Sequence, residues 1–300
     1  MQRGVLVALV VVGLSAACQD ATPSRTPQTA TPPPAAATPP APAAQARAEP
    51  PPAPVNPETQ RGIREALMKE LEIVALRNCI FERVGSRNDG GYVMCGNLLD
   101  GAKSVYSYGI GGNDDWGCAL STRLKAPAHQ YDCFDPPNLA CPGGQFVSHN
   151  ECVWPRTEIA ENRVFDTIDN QIKKNGDAGK ALVVKIDVEG AEWRSLLETP
   201  DAVLERFDQL AMELHGVDEA HFVDTLKKLK RTFYLVHLHY NNWACGADIA
   251  PFAARAYQVL FVNKRLGQLG KPPAGRPQAR DFDAPDNPAG PECPAPVAKP

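Results

Sequence analysis

Residues 183–193, VVKIDVEGAEW, constrain the fold of this chain more than any other stretch. Apolar residues and one lysine run into Asp187, then Glu189 and Gly190, and helical periodicity begins at once. A short apolar run of this length bounded by glycine reads as a buried strand. The switch of period straight after it puts both carboxylates at the carboxyl edge of a sheet. In open α/β folds that edge is where ligands bind. Asp187 is therefore a candidate site residue, while Glu189, beside Gly190, is equally placed to cap the following helix, whose dipole favours a carboxylate there.

The flanking chain alternates in the same way. Ile63, Leu67, Leu71, Ile73 and Val74 recur at helical spacing and predict a packing helix over 59–76. A turn at Asn88-Asp89-Gly90-Gly91 leads into a short strand at 92–95. Residues 103–110, KSVYSYGI, are β-branched and aromatic and predict a strand. Further strands are expected at 129–134, 145–148, 181–186, 209–214, 232–239 and 256–262, with helices at 115–125, 162–174, 191–197 and 218–231. Strands separated by helices of this length make βαβ units, so the fold class is α/β with a doubly wound, mostly parallel sheet.

Both ends are poor core material. Residues 19–57 are Pro, Ala and Thr with no hydrophobic period, and residues 271–300 are again Pro-rich. Neither buries enough apolar surface to offset the entropy of ordering it. Both are expected to be disordered, leaving 58–270 as one domain. The net charge of −4 is mild and no basic stripe is present, which argues against a nucleic-acid partner.

Residues 1–18 read as a targeting segment: Arg3, an apolar run over 4–14 too short for a comfortable membrane span, then Ser15-Ala16-Ala17-Cys18. The pattern resembles a bacterial lipoprotein signal. That resemblance implies a lipid anchor at Cys18 and a domain held off the membrane, facing the periplasm or the outside, by the Pro/Ala tether. An ordinary cleaved signal with an incidental cysteine stays open. Of nine cysteines, eight follow Cys18, an even number that suggests disulfides in an exported chain. Cys79 with Cys95 and Cys141 with Cys152 are the expected pairs; Cys118 and Cys133 are equally compatible with buried free thiols. No CxxC pair points to zinc.

The chemistry follows from where the motifs fall. Tyr108-Gly109-Ile110-Gly111-Gly112-Asn113-Asp114 comes directly after a predicted strand. Its glycines let the backbone turn tightly and approach a ligand. Asp135 lies about 24 residues beyond the turn, near the spacing at which an acidic residue reaches a ribose. A structural turn with Asp135 capping the loop before Pro136 is the plainer alternative. The full GxGxxG pattern and the GxxxxGK[ST] phosphate loop are both missing from the sequence. A ligand with a ribose but no pyrophosphate suits the turn better. S-adenosylmethionine is such a ligand, and its sulfonium favours nearby carboxylates such as Asp114, Asp115, Asp135 and Asp187.

The combination YSYGIGGNDDW, FDPP, VVKIDVEGAEW and LAMELHG resembles the class I S-adenosylmethionine-dependent methyltransferases. More narrowly it is similar to the FkbM-type and methyltransferase-like families, DGGY at 89–92 resembling the latter. The resemblance spans residues 79–263. It implies a Rossmann-like, seven-stranded sheet whose last strand runs antiparallel. It also implies that the turn of Tyr108, Gly109, Gly111 and Asn113 cradles the cofactor, that Asp135 binds its ribose, and that Asp187 stands near the transferred methyl.

In methyl transfer the protein aligns the acceptor and, for a hydroxyl, helps remove its proton. Asp187, Glu189, Glu213, His215, His237 and His239 are candidates. Alternate residues of a strand share one face, so Glu213 with His215, and His237 with His239, are each expected to project together toward the carboxyl-edge crevice. Asp187, Glu213, His215 and His239 are the catalytic set expected. The same four side chains are donors that could form a carboxylate/imidazole metal site, but their spacing matches no metal signature, and no metal is expected. Two functions stay open: O-methylation of a hydroxyl or carboxyl on a glycan, lipid or small metabolite, and a cell-envelope lipoprotein that binds a ligand or partner without turnover. Acceptor choice is expected to lie in 137–155, with Trp154, and 240–252, with Trp243.

Overall fold

The computed structural model describes residues 56–294. The targeting segment, Cys18 and all but the last two residues of the tether lie outside the described residues. The first helix, α1 (Pro57–Glu70), starts where the Asn56 side chain accepts the Glu58 N–H and Pro57 takes the first helical position. It stops before the expected residue 76. Ile73 and Val74 are β-branched and weak helix formers, and the Val74 N–H is taken by the Leu235 carbonyl instead.

Two strands, β1 (Phe81–Gly85) and β2 (Gly91–Cys95), form an antiparallel hairpin, of which the sequence reading found only the second. The main sheet begins with β3 (Ser104–Tyr108), followed by α2 (Asp115–Leu124), β4 (Pro127–Tyr131) and β5 (Gln145–His149). A small three-stranded sheet follows, made of β6 (Cys152–Val153), β7 (Glu158–Ala160) and β8 (Arg163–Asp166). It replaces the first turn of the helix expected over 162–174. The helix α3 (Ile168–Lys174) instead starts after Thr167, whose hydroxyl accepts the Asn170 N–H. Then come β9 (Leu182–Ile186), α4 (Ala191–Glu198), α5 (Asp201–Leu204), β10 (Phe207–His215), α6 (Ala220–Thr232), β11 (Phe233–Tyr240) and β12 (Ala256–Asn263).

The seven-stranded sheet has the order β11-β12-β10-β9-β3-β4-β5. All neighbours are parallel except β12, which runs antiparallel to both β10 and β11. This is the Rossmann-like, mostly parallel sheet with an antiparallel last strand that the methyltransferase resemblance implies. The central strands are buried on both faces, as parallel sheets require. Tyr106, Val184, Ile186, Leu210 and Met212 pack with Ile172, Trp193 and Leu226 on one side. Val105, Val183 and Ala211 pack with Met94, Trp116 and Leu120 on the other. Chain order reverses between β3 and β9, so the crevice at their carboxyl ends is the switch point where ligands bind in such sheets. Among the described residues no helix is long and apolar enough to cross a membrane.

The cysteines pair as Cys79–Cys95, Cys118–Cys141, Cys133–Cys152 and Cys245–Cys293. The first is as expected. The expected Cys141–Cys152 pair is corrected, and Cys118 and Cys133 are not free. Cys118 on α2 lies beside the loop carrying Cys141, and Cys133, just past β4, lies beside β6, with Cα separations of 5.3 and 5.0 Å. Four disulfides suit an oxidising, exported environment.

The expected disordered tail is corrected as well. Residues 271–294 lie against the domain as a strap. Arg276 donates to the Arg77 and Cys79 carbonyls, Asp283 pairs with His237, Asp286 is 1 % exposed, and Cys293 is bonded to Cys245. Polar contacts and a disulfide hold this segment, so its lack of hydrophobic period says nothing about its order.

Candidate active site

After β3 the chain turns through Gly109, Gly111 and Gly112, all at positive φ (76°, 55° and 81°). At Gly109 an added Cβ would lie 1.6 Å from the Asp187 carbonyl oxygen, so the turn is pressed onto the end of β9. Lys185 Nζ donates to the Gly109 carbonyl and the Asp187 N–H to the Tyr108 carbonyl. At Gly111 a Cβ would meet nothing within 4 Å, because that side of the turn opens into a cavity. Asn113 lines the cavity too, its Nδ2 donating to Ser86 Oγ. The Tyr108 side chain does not reach it. It is fully buried, stacked on Tyr131 with ring centroids 5.0 Å apart.

The carboxylate at the end of β4 is Asp132, not Asp135. Its Oδ2 accepts the Ile110 and Gly111 N–H groups (2.9 and 3.4 Å), and its Oδ1 those of Phe134 and Asp135 (2.9 Å each). Burial alone would raise its pKa; the four N–H bonds outweigh this and lower it. Asp135 is exposed and does not line the cavity. The apolar pair Cys133-Phe134 extended the predicted strand by three residues and so displaced its carboxylate; the spacing from the glycine turn fits either aspartate.

The cavity holds about 1210 Å³ along the carboxyl edge of the sheet. Asp132, Phe134, Trp154 and Phe165 line one end, and Asp187, Glu189, Arg194 and His215 the other. Of the expected acceptor-loop aromatics, Trp154 is there and Trp243 is not. Asp187 accepts the Tyr92 hydroxyl at 3.0 Å and lies 3.5 Å from Lys185 Nζ. Glu192, fully buried in the first turn of α4, does the capping that was open to Glu189. Its Oε2 accepts the Gly190 N–H, and its Oε1 accepts the His215 N–H and lies 3.2 Å from His215 Nδ1. The sequence reading missed it, although an acidic residue two places after the turn glycine is a helix-start signal.

His215 Nε2 then faces three carboxylates: Asp187 at 3.8 Å, Glu189 at 3.6 Å and Glu213 at 3.8 Å. Asp187, Glu213 and His215 lie together, but of the strand pair expected to project into the crevice only His215 lines the cavity. Glu213 sits behind His215, buried, with the Asn241 amide donating to it at 2.7 Å. His239 is corrected: it lies under the strap on β11, its Nδ1 3.6 Å from Asp283, and does not line the cavity. A register shift in β11 between Leu235 and His237 accompanies this placement. One ligand atom each of Asp187, Glu189 and His215 lies within 4.8 Å of the others. His215 Nδ1 faces Glu192, so Nε2 is the ring nitrogen turned toward the other two.

Glu213 and His215 both hold protons tightly. Burial first, and the Asp187 charge second, push the Glu213 pKa up to about 8. For His215, burial pulls the pKa down, but the bond to and charge of Glu192, with Asp187 and Glu213, raise it to about 9. Both groups bind protons more tightly folded than unfolded, so stability must fall with rising pH. For Glu213 the loss runs from its unfolded value in the carboxylate range up to about 8; for His215 it runs from about 6.5 to about 9. Melting temperature is thus expected to drop between pH 6 and pH 9, and Glu213→Gln, which keeps the Asn241 bond, to flatten that drop. Parallel profiles for the two proteins would refute the assignment.

No protein-family model matches this chain, and no curated protein matches it. Among solved structures, the Methanococcus jannaschii fibrillarin pre-rRNA processing protein is similar over 56 % of this chain and 69 % of that chain, at 10 % identity and a TM-score of 0.29.

Proposed function

We propose that the domain is an S-adenosylmethionine-dependent methyltransferase acting on an oxygen of a sugar, lipid or small metabolite. One observation carries this reading. The open face of the Gly109–Gly111 turn and the Asp187–His215 pair line a single cavity at the switch point of the sheet. Cofactor pockets run to roughly 300–1,000 Å³, so about 1210 Å³ leaves room for a nucleoside-sized cofactor and an acceptor. Gly109, Gly111, Asn113 and Asp132 would hold the cofactor, and a methyl group already activated on a sulfonium is what it supplies when bound. The Asp187 carboxylate would favour that positive charge and take the acceptor's proton. Its Oδ2 is fixed by Tyr92, and the His215 ring beside it is fixed by Glu192. An exported location fits the disulfides, and the segment ending at Cys18 supports attachment to a membrane, which makes envelope glycans and lipids the acceptors to test first.

Titrating the oxidised domain with S-adenosylmethionine by calorimetry tests this reading. Binding with a thermal shift is expected. Gly111→Asn, which tolerates a left-handed backbone but fills the open face, should weaken it at least tenfold. Asp135→Ala, outside the cavity, should leave it unchanged. No heat and no shift at millimolar cofactor would sink the proposal and leave ligand binding without turnover.

A further inference from the structure

Where β9 turns into α4, three side chains converge that no single strand could supply. Asp187 directly follows β9, Glu189 lies in the turn, and His215 ends β10. All three line the cavity. His215 Nε2 has no hydrogen-bond partner among the described residues. Its nearest oxygens are Glu189 Oε2 at 3.6 Å, Asp187 Oδ1 at 3.8 Å and Glu213 Oε1 at 3.8 Å. Each is too far for a direct hydrogen bond, and a single N–H could not serve three oxygens at once. The ring is held in this pose from behind, its Nδ1 3.2 Å from the fully buried Glu192. Asp187 is held in the same way. Its Oδ2 accepts the Tyr92 hydroxyl and lies 3.5 Å from Lys185 Nζ, which leaves Oδ1 on the His215 side. Glu189 occupies the left-handed backbone region (φ 55°), uncommon for a residue with a Cβ. The cations nearby are few. Lys185 donates to the Gly109 carbonyl, Arg194 lies farther along the wall, and His221 there pairs with Glu219 at 3.1 Å. Asp187, Glu189 and Glu192 outnumber Lys185 and Arg194 even before Glu213 is counted.

We propose that Asp187 Oδ1, Glu189 Oε2 and His215 Nε2 bind one divalent cation of the zinc type, with its remaining position open to an acceptor oxygen. One ligand atom of each residue lies within 4.8 Å of the other two. One imidazole with two carboxylates is a zinc-compatible set that leaves a fourth position for water or substrate. Ligand atoms about 2.0–2.2 Å from zinc stand roughly 3.3–3.6 Å apart at a tetrahedral angle. The 3.6 and 3.8 Å spacings to His215 therefore need to close only slightly. A carboxylate behind the imidazole and a phenol on the aspartate are the supporting contacts that orient metal ligands. Strand alternation conceals this set, because Glu189 joins it from a turn. Holding and polarising an acceptor hydroxyl is what such an ion does. That role rests on the methyltransferase reading; the binding of the ion does not.

The test uses the oxidised protein, stripped with chelator and titrated with Co²⁺ and then Zn²⁺. One equivalent of Co²⁺ with visible bands of a four-coordinate ion is expected, together with a zinc-dependent rise in melting temperature of several degrees. His215→Ala should weaken zinc binding at least a hundredfold. Glu189→Gln, at a side chain 89 % exposed and safe for folding, should weaken it at least tenfold. His221→Ala, which removes the other imidazole lining the cavity, should leave it unchanged. Folded wild-type protein with no cobalt bands and no zinc shift, as a protonated imidazole held among carboxylates would give, overturns the proposal. So does binding that survives Glu189→Gln unchanged or is lost with His221→Ala alone. Calorimetry with S-adenosylmethionine keeps the two readings apart. Cofactor bound by protein that takes no metal overturns the ion alone, and metal bound by protein that takes no cofactor overturns the transferase alone.

Discussion

Reduction of the four disulfides is expected to unfold the domain at room temperature. They close loops of 16, 23, 19 and 48 residues. In the chain-entropy account each such loop contributes about 3–4 kcal/mol, and two of them overlap in sequence, so they do not simply add. Even so, the combined effect is of the size of a whole domain's stability, about 5–15 kcal/mol. The effect reaches the site as well, because both Cys133 and Cys152 line the cavity next to Asp132. Circular dichroism in reductant, with free thiols counted by mass spectrometry, is the measurement. A fully reduced chain that melts within a few degrees of the oxidised one would show that packing alone holds this fold.

Gly109→Ala is expected to destabilise the oxidised domain by about 3 kcal/mol or more, within the range of strained or overpacked core changes. Such a loss lowers the melting temperature by roughly 6–12 °C in a domain of this size. The added Cβ would sit 1.6 Å from the Asp187 carbonyl oxygen, on a backbone already at φ +76°. Neither side has room to move. The Asp187 N–H is bonded to the Tyr108 carbonyl and Lys185 to the Gly109 carbonyl. Cofactor binding should be lost with the turn. Gly111→Ala is the control: it has a similar left-handed φ but open space around it, so only the backbone cost of about 1–2 kcal/mol applies. Equal losses for the two variants, measured by chemical denaturation, would show that the turn is not pressed against β9.

Much of this site was legible in order along the chain. The strand, turn and helix of VVKIDVEGAEW came through because a change of hydrophobic period is a local signal, and it put Asp187 at the sheet edge. His215 in the cavity followed from strand alternation, while Glu213 of the same pair sits behind it. Cys79–Cys95 was readable because its partners flank one hairpin. The helix expected over 162–174 lost its first turn to β8, because residues 163–166 alternate well enough to be a strand and only pairing with β6 and β7 decides between the two. Asp132 and Asp135 differ by three positions that periodicity cannot resolve.

The sequence by itself determined the α/β class, the alternation of elements, the glycine turn and the carboxylates at the strand ends, since each depends on neighbours a few residues apart. Tertiary structure alone decided which carboxylate holds the turn, that Glu192 orients His215, which cysteines pair across α2 and β6, and that the Pro-rich end is a strap over His237 and His239. The reason is physical. Those outcomes rest on single polar contacts and cross-links between residues tens to hundreds of positions apart, and such contacts leave no period in the chain that makes them.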